Sequence, residues 1–434
     1  MQKAALVFML LLLTAWSTSC RGEIWQITLP GKIEAAGDTA FAGFHSDAWG
    51  KVSFSVPDAS GETVDILSIL QAEEVTFLGA AMHLQVTTEN GKLTYLLWQV
   101  AQGETLGTVG RPSGHTGLCA GESLMDLSDL MAAWIGGAQN NGFLLSAVNA
   151  KKKQGAQVRC GVDVLVTVRV PDEIQLPYPF RRARIQESEI LDSAFSMLEE
   201  ENAFLQRYDD TAGALTEAVF PLGLPYYFGG RNEEKLMMRL QPTQESHYFR
   251  KNRQYLYGFD CAGFTKWAYR MQGKSEHPDL ADLLRKNARN FVLPTDHTET
   301  WQCFLEPGDV ISVDHGYDHS LMYIGTLRTL GFREDEVERA EEIMDLPLAI
   351  HCGTNPMYYA RYSAWLLETG DRTTTPTDGG VTVSVIMPDR HTAPHVMDSP
   401  WGTEYGYYEV QGSPLLVFPL DDCTAFAWYS VRND

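Results

Sequence analysis

Tyr257-Gly258-Phe259-Asp260-Cys261-Ala262-Gly263-Phe264 is the stretch whose reading decides the fold. A glycine, an aromatic residue and an acid deliver a cysteine to the start of a helical pattern, Phe264 to Met271. A thiol placed there sees the positive end of a helix dipole, which favours thiolate over thiol. Thiolate is the nucleophilic form, so this is the arrangement a cysteine hydrolase needs. A buried structural role is the commoner fate of any single cysteine, and the surrounding sequence decides against it.

Downstream, Leu305-Glu306-Pro307-Gly308-Asp309 reads as a turn, followed by a buried strand, Val310 to Val313. The partner strand is His319-Ser320-Leu321-Met322-Tyr323-Ile324-Gly325, whose alternation puts His319, Leu321 and Tyr323 on one face. A histidine at the start of a core strand can project its ring to a site at the strand's edge. His315, in the turn, is the weaker candidate. Leu348 to Cys352 is a further strand and carries His351, after a short acidic helical insert over Gly331 to Asp345. Upstream, Leu224-Pro225-Tyr226-Tyr227-Phe228-Gly229-Gly230 is an aromatic turn. Residues 231–253 then hold six Lys/Arg against three Glu, a local charge of +3. That segment reads as a solvated surface insert, with a carboxylate-binding rim as the sharper alternative.

The chain has 434 residues, enough for two or three domains. Its net charge of −22 argues against a nucleic-acid partner, because phosphate binding needs basic surface. Residues 21–180 read as a β-rich region, with strands at Ile24–Leu29, Lys51–Val56, Met82–Val86, Thr94–Val100 and Val162–Val168. One helix is expected over Leu124 to Trp134. Three prolines within 171–180 mark a boundary. Residues 181–215 read as a helical linker, since Glu187 to Tyr208 has helical spacing. It is either an interdomain helix or the first helix of the next domain, 216–434.

At the N-terminus, Lys3 precedes an apolar run, Ala4 to Ala15, too short to cross a bilayer. With Ser17-Thr18-Ser19 and Cys20 it reads as a secretory signal over residues 1–20. Its end resembles a bacterial lipoprotein signal, in which Cys20 becomes the lipidated mature N-terminus and anchors the protein to the membrane. An extracytoplasmic location, lipid-anchored or secreted, follows from either reading. Of the seven cysteines, Cys119 and Cys160 are the first candidates for a disulfide. No CxxC occurs, and the His315/His319 and His391/His395 spacings lack the glutamate of a zinc motif, so no metal or cofactor is expected.

Taken together, Pro225-Tyr226-x-Phe228-Gly229-Gly230, Gly258-Phe259-Asp260-Cys261-Ala262-Gly263, Pro307-Gly308-Asp309 and His319-x-x-x-Tyr323-Ile324-Gly325 resemble the NlpC family of bacterial cell-wall cysteine peptidases. The resemblance covers about residues 215–434. It implies an α+β, papain-like fold, with a helix bearing the cysteine packed on an antiparallel sheet bearing the histidine, here preceded by a mostly β region that binds the wall or serves as a spacer. It implies hydrolysis of peptidoglycan stem peptides between γ-D-glutamate and the following diamino acid. Carried over by position, Cys261 is the nucleophile, His319 the general base and His351 the residue that orients the base. Tyr226 and Asp260 contact substrate. Three departures are visible: 31 residues separate Gly230 from Cys261, Ala262 stands where the family mostly has serine, and 32 residues separate His319 from His351. Asn355 is the alternative orienter. An amidase or acyltransferase on the same scaffold, and a non-catalytic wall-binding lipoprotein, are the competing functions.

Overall fold

The computed structural model describes residues 22–35, 45–88, 96–102, 114–118, 121–140, 142–149, 158–185, 188–243, 249–274, 276–277, 279, 298–314, 316, 318–388, 393–400, 402–421, 423 and 425–429. Cys20, Cys119, His315 and His391 lie outside these residues, and with them the signal segment and one partner of the candidate disulfide, whose other member, Cys160, lies in a strand opposite Val86. The described chain is mixed α+β with mostly β content.

The N-terminal part is built on β1 (Glu23–Ala35), β2 (His45–Val52), β3 (Thr76–Thr88), β4 (Leu96–Gln102), β5 (Gly114–Leu118), β6 (Gly121–Asp126), β7 (Phe143–Asn149) and β8 (Val158–Val170). They form one sheet in the order β5-β4-β7-β2-β1-β8-β3-β6, with every pair antiparallel. The alternation over 162–168 does what the period of two requires: Val164, Val166 and Val168 are fully buried on one face. Helix α1 (Ser128–Ile135) covers that face with Leu130, Met131 and Trp134, and Trp134 meets Phe54 edge-on at 6.1 Å. The opposite face is covered as well. Thr167 is fully buried, Gln26 spans from its hydroxyl to the Gln302 carbonyl, and Ala81 joins a core cluster with Trp301, Cys303 and Phe304. The expected helix over 124–134 is therefore a strand end followed by a helix from Ser128, and the strand over 51–56 breaks at Ser53 and Phe54.

The short strand β9 (Arg181–Arg182) returns along β1, and the chain then enters the second domain. The helix expected over 187–208 is two helices, α2 (Glu189–Phe195) and α3 (Ala203–Ala212). Asn202 starts the second by accepting the Phe204 N–H at 2.9 Å, and Phe195 stacks on Tyr208 at 4.2 Å across the bend. Both helices sit in one core cluster with Phe264, Trp267 and Met322. Apolar packing thus joins both helices to the core of the second sheet.

That domain carries α4 (Cys261–Met271), β10 (Val310–Asp314), β11 (Asp318–Gly325), β12 (Leu348–Thr354), α5 (Pro356–Glu368), β13 (Gly379–Met387), β14 (His395–Asp398), β15 (Glu404–Val410), β16 (Ser413–Pro419) and β17 (Ala425–Tyr429). The sheet order is β14-β15-β16-β13-β12-β11-β10-β17, antiparallel except for β13 beside β16. One face, with Val310, Met322, Ile350 and Cys352, packs under α4 and α2. The other, with Ile311, Leu321, Tyr323 and Ala349, packs under residues 301–305. A sheet covered on both faces leaves β13 buried along its whole length.

Candidate active site

Cys261 is the first residue of α4. The preceding Asp260 is extended (φ −89, ψ −179) and its Oδ1 accepts the Gly263 N–H at 2.5 Å, so the acid is the helix cap. The aromatic turn is threaded against this start. Tyr226 bridges to Phe259, the Tyr227 N–H donates to the Phe259 carbonyl, and the Asp260 N–H donates to the Gly230 carbonyl. The contact is so close that a Cβ on Gly258 would collide with the Pro225 carbonyl oxygen, and one on Gly263 with that of Gly230. The glycines flanking the cysteine are there because main chain meets main chain, which fixes the helix start without relying on side chains.

His319 opens β11 and is 7% exposed. The ladder joining β11 to β12 runs from Gly325 to Met322, and alternation carries His319 and His351 to one face. Their rings are perpendicular, with His319 Nε2 3.0 Å from His351 Nδ1. His351 Nε2 lies 2.9 Å from the Ser384 hydroxyl, contributed by β13, and Ser384 is 2% exposed. Phe418 of β16 stacks on the His319 ring at 5.7 Å and 12°. Gly353 leaves room for the pair, since a Cβ there would stand 2.9 Å from His351 Nδ1 and 3.2 Å from His319 Cε1.

The sulfur sits at the start of β11. The Cys261 thiol points to the Asp318 carbonyl oxygen at 3.8 Å, and the backbone N–H groups of Ser320 and Ala262 act on it. The sulfur is therefore bracketed by the peptide groups on either side of His319. It is a free thiol on a residue that keeps partial exposure. Its pKa nevertheless is pushed up to about 12, first by burial and then by the charge of Asp260. The N–H groups at the helix start favour the anion, as the sequence leads one to expect, and desolvation opposes them. Asp260 is itself raised by burial, which the Gly263 N–H and Arg231, 3.8 Å away, partly offset.

The remaining expected residues are placed as follows. Tyr226 is half-buried beside the helix start, its N–H donating to Gly379 and its carbonyl accepting from Thr377. Asn355 caps α5, accepting the Met357 N–H at 3.0 Å and donating to the Thr382 hydroxyl at 3.1 Å. Its amide is committed there, and His351 is the group beside His319. Ser384, Gly353 and Phe418 were not legible as site residues, because nothing local marks them.

No known protein family and no curated protein matches the chain. Solved structures it is similar to include the Tobacco streak virus coat protein, at 11% identity over 37% of this chain and 95% of that one, TM-score 0.20. A second crystal form of that coat protein gives 11% identity, coverage of 36% and 92%, and TM-score 0.19. A Maize chlorotic mottle virus structure gives 9% identity, coverage of 36% and 98%, and TM-score 0.17. At such TM-scores the likeness defines neither fold nor function.

Proposed function

We propose that the chain is a cysteine hydrolase of the NlpC kind, on a papain-like domain, that cleaves peptidoglycan stem peptides between γ-D-glutamate and the following diamino acid. The observation that carries this reading is the hydrogen-bonded file of His319, His351 and Ser384, ending at a strand start against which a helix-N-terminal cysteine is held. The contacts His319 Nε2–His351 Nδ1 and His351 Nε2–Ser384 limit the tautomers the mechanism can use. For Nδ1 of His319 to accept a proton, its Nε2 must donate to His351 Nδ1, and His351 must in turn donate from Nε2 to Ser384.

Because burial disfavours the thiolate, proton transfer to His319 accompanies attack on the scissile carbonyl. The carbonyl oxygen becomes an oxyanion facing N–H groups at the start of α4. Imidazolium His319 then protonates the leaving amine as the C–N bond breaks, giving a thioester. Water, deprotonated by the same ring, attacks the thioester, releasing a carboxylate and regenerating the thiol. Tyr226 and Asp260 border the substrate at the helix start. The same reading includes export behind the signal segment and anchoring through a lipid on Cys20. No helix among the described residues is long and apolar enough to cross a membrane.

The test is digestion of purified peptidoglycan by the wild type and by Cys261→Ala, with the new termini read by mass spectrometry. New γ-D-glutamyl carboxylates from the wild type alone are expected. Undiminished cleavage by the variant removes the thiol from the chemistry, and products that carry a new amide instead identify an acyltransferase.

A further inference from the structure

One large cavity is not at the thiol. It lies between the two domains, encloses about 720 Å³, and is reached at the far end of β11, where Gly325 and Thr329 line it. Six residues of strand separate Gly325 from His319, about 20 Å at 3.3 Å per residue, so an occupant of a few residues' length cannot touch both ends. The volume is that of a small-molecule or short-peptide pocket, and domain boundaries are where such pockets form.

Its charge runs against that of the molecule. Three arginines, Arg181, Arg182 and Arg184, line it against one acid, Glu306, in a chain of net charge −22. Arg182 is engaged: it holds Glu23 at 2.5 Å and lies over the Trp25 ring at 5.6 Å. Among the described residues, Arg181 and Arg184 make no ion pair. Their backbone is fixed at both ends, which is what separates this wall from a loose basic loop. Arg181 and Arg182 pair with Gln26 and Trp25, the Ala183 N–H donates to the Ile24 carbonyl, and the Ile185 N–H reaches Thr329 in the other domain. Guanidinium groups on a preset strand bind carboxylate or phosphate in a bidentate fashion with little further ordering.

We propose that this interdomain cleft is a second binding site, separate from the thiol, for a small organic polyanion held by Arg181 and Arg184. The rim matches a ligand with an apolar frame, since Val56, Pro57, Tyr178 and Pro307 flank the arginines.

The test is calorimetric titration of the full chain with citrate and, separately, with pyrophosphate. At least one binds saturably at one site per chain. In R181Q/R184Q that affinity falls at least tenfold, in R181K/R184K it falls less because the charge remains, and in Cys261→Ala it is unchanged. Whichever anion binds more tightly identifies the ligand as a carboxylate or a phosphate. Binding of neither anion, equal affinity in R181Q/R184Q with an unchanged melting profile, or loss of binding in Cys261→Ala would overturn the assignment.

Discussion

Replacing Ser384 by alanine probes the least expected part of the site. Its hydroxyl lies 2.9 Å from His351 Nε2, both groups are almost wholly buried, and in the productive tautomer it accepts the His351 proton. Removing the hydroxyl leaves a buried N–H without an acceptor, which costs about 1–3 kcal/mol. His351 can avoid that cost by shifting its proton to Nδ1, but that N–H then confronts the Nε2–H of His319 and the base loses its orientation. Either way the penalty falls on the productive tautomer. At about 1.4 kcal/mol per factor of ten, kcat/KM should fall roughly 5- to 150-fold. The loss should lie in kcat, with KM held, because Ser384 is remote from substrate. The assay is muropeptide cleavage alongside the pH dependence of Cys261 alkylation by iodoacetamide, which a merely structural serine would leave in place. Ser384→Thr, which keeps the hydroxyl, should recover most of the activity. Activity of Ser384→Ala within twofold of wild type, while His351→Ala is inactive, would refute the file of hydrogen bonds as the source of base orientation.

Asp260→Asn should move the alkylation profile of Cys261 toward lower pH. The Asp260 charge is one of the groups that raise the thiol, while an asparagine still caps the helix. The sign is that of an acid whose charged form loses a repulsive neighbour, and an unmoved profile counts against Asp260 as a cause. Gly353→Ala should lower kcat with little change in melting temperature, since its methyl group enters the space of the two histidine rings, and crystallography would show them displaced. Gly258→Ala is the converse case. Its methyl group meets main chain that cannot yield, so a loss of about 1–3 kcal/mol should lower the melting temperature by roughly 2–4 °C per kcal/mol, and an unaltered melting curve excludes the tight crossing.

Much of the site was written in local signals. Cysteine at the start of an apolar helical pattern, a Pro-Gly turn before a strand and a histidine opening the next strand each follow from short-range rules; the structure sets Cys261 against the start of β11 and the Pro307-Gly308 turn near that strand's other end. Ser384 and Phe418 were invisible for a physical reason. They reach the histidines from strands remote in sequence, Ser384 33 residues beyond His351, and the alternation Val381-Thr382-Val383-Ser384-Val385 reads as a strand with one polar, solvated face, whereas both its faces are buried. The division of the 187–208 helix was missed because no glycine or proline marks it; Asn202, a good cap, was the signal available. Over 124–134 a single apolar run concealed a strand end and a helix start, which periodicity cannot separate in so short a window.

The burial that raises the Cys261 thiol bears on the lifetime of the protein. The thiolate is the form that attacks peroxide and disulfides, and the burial that pushes the Cys261 thiol up to about 12 disfavours it. The same burial that slows the first chemical step therefore shields the nucleophile between encounters, so that the only partner able to draw out its reactivity is one that seats beside His319 and receives the attack as the proton leaves.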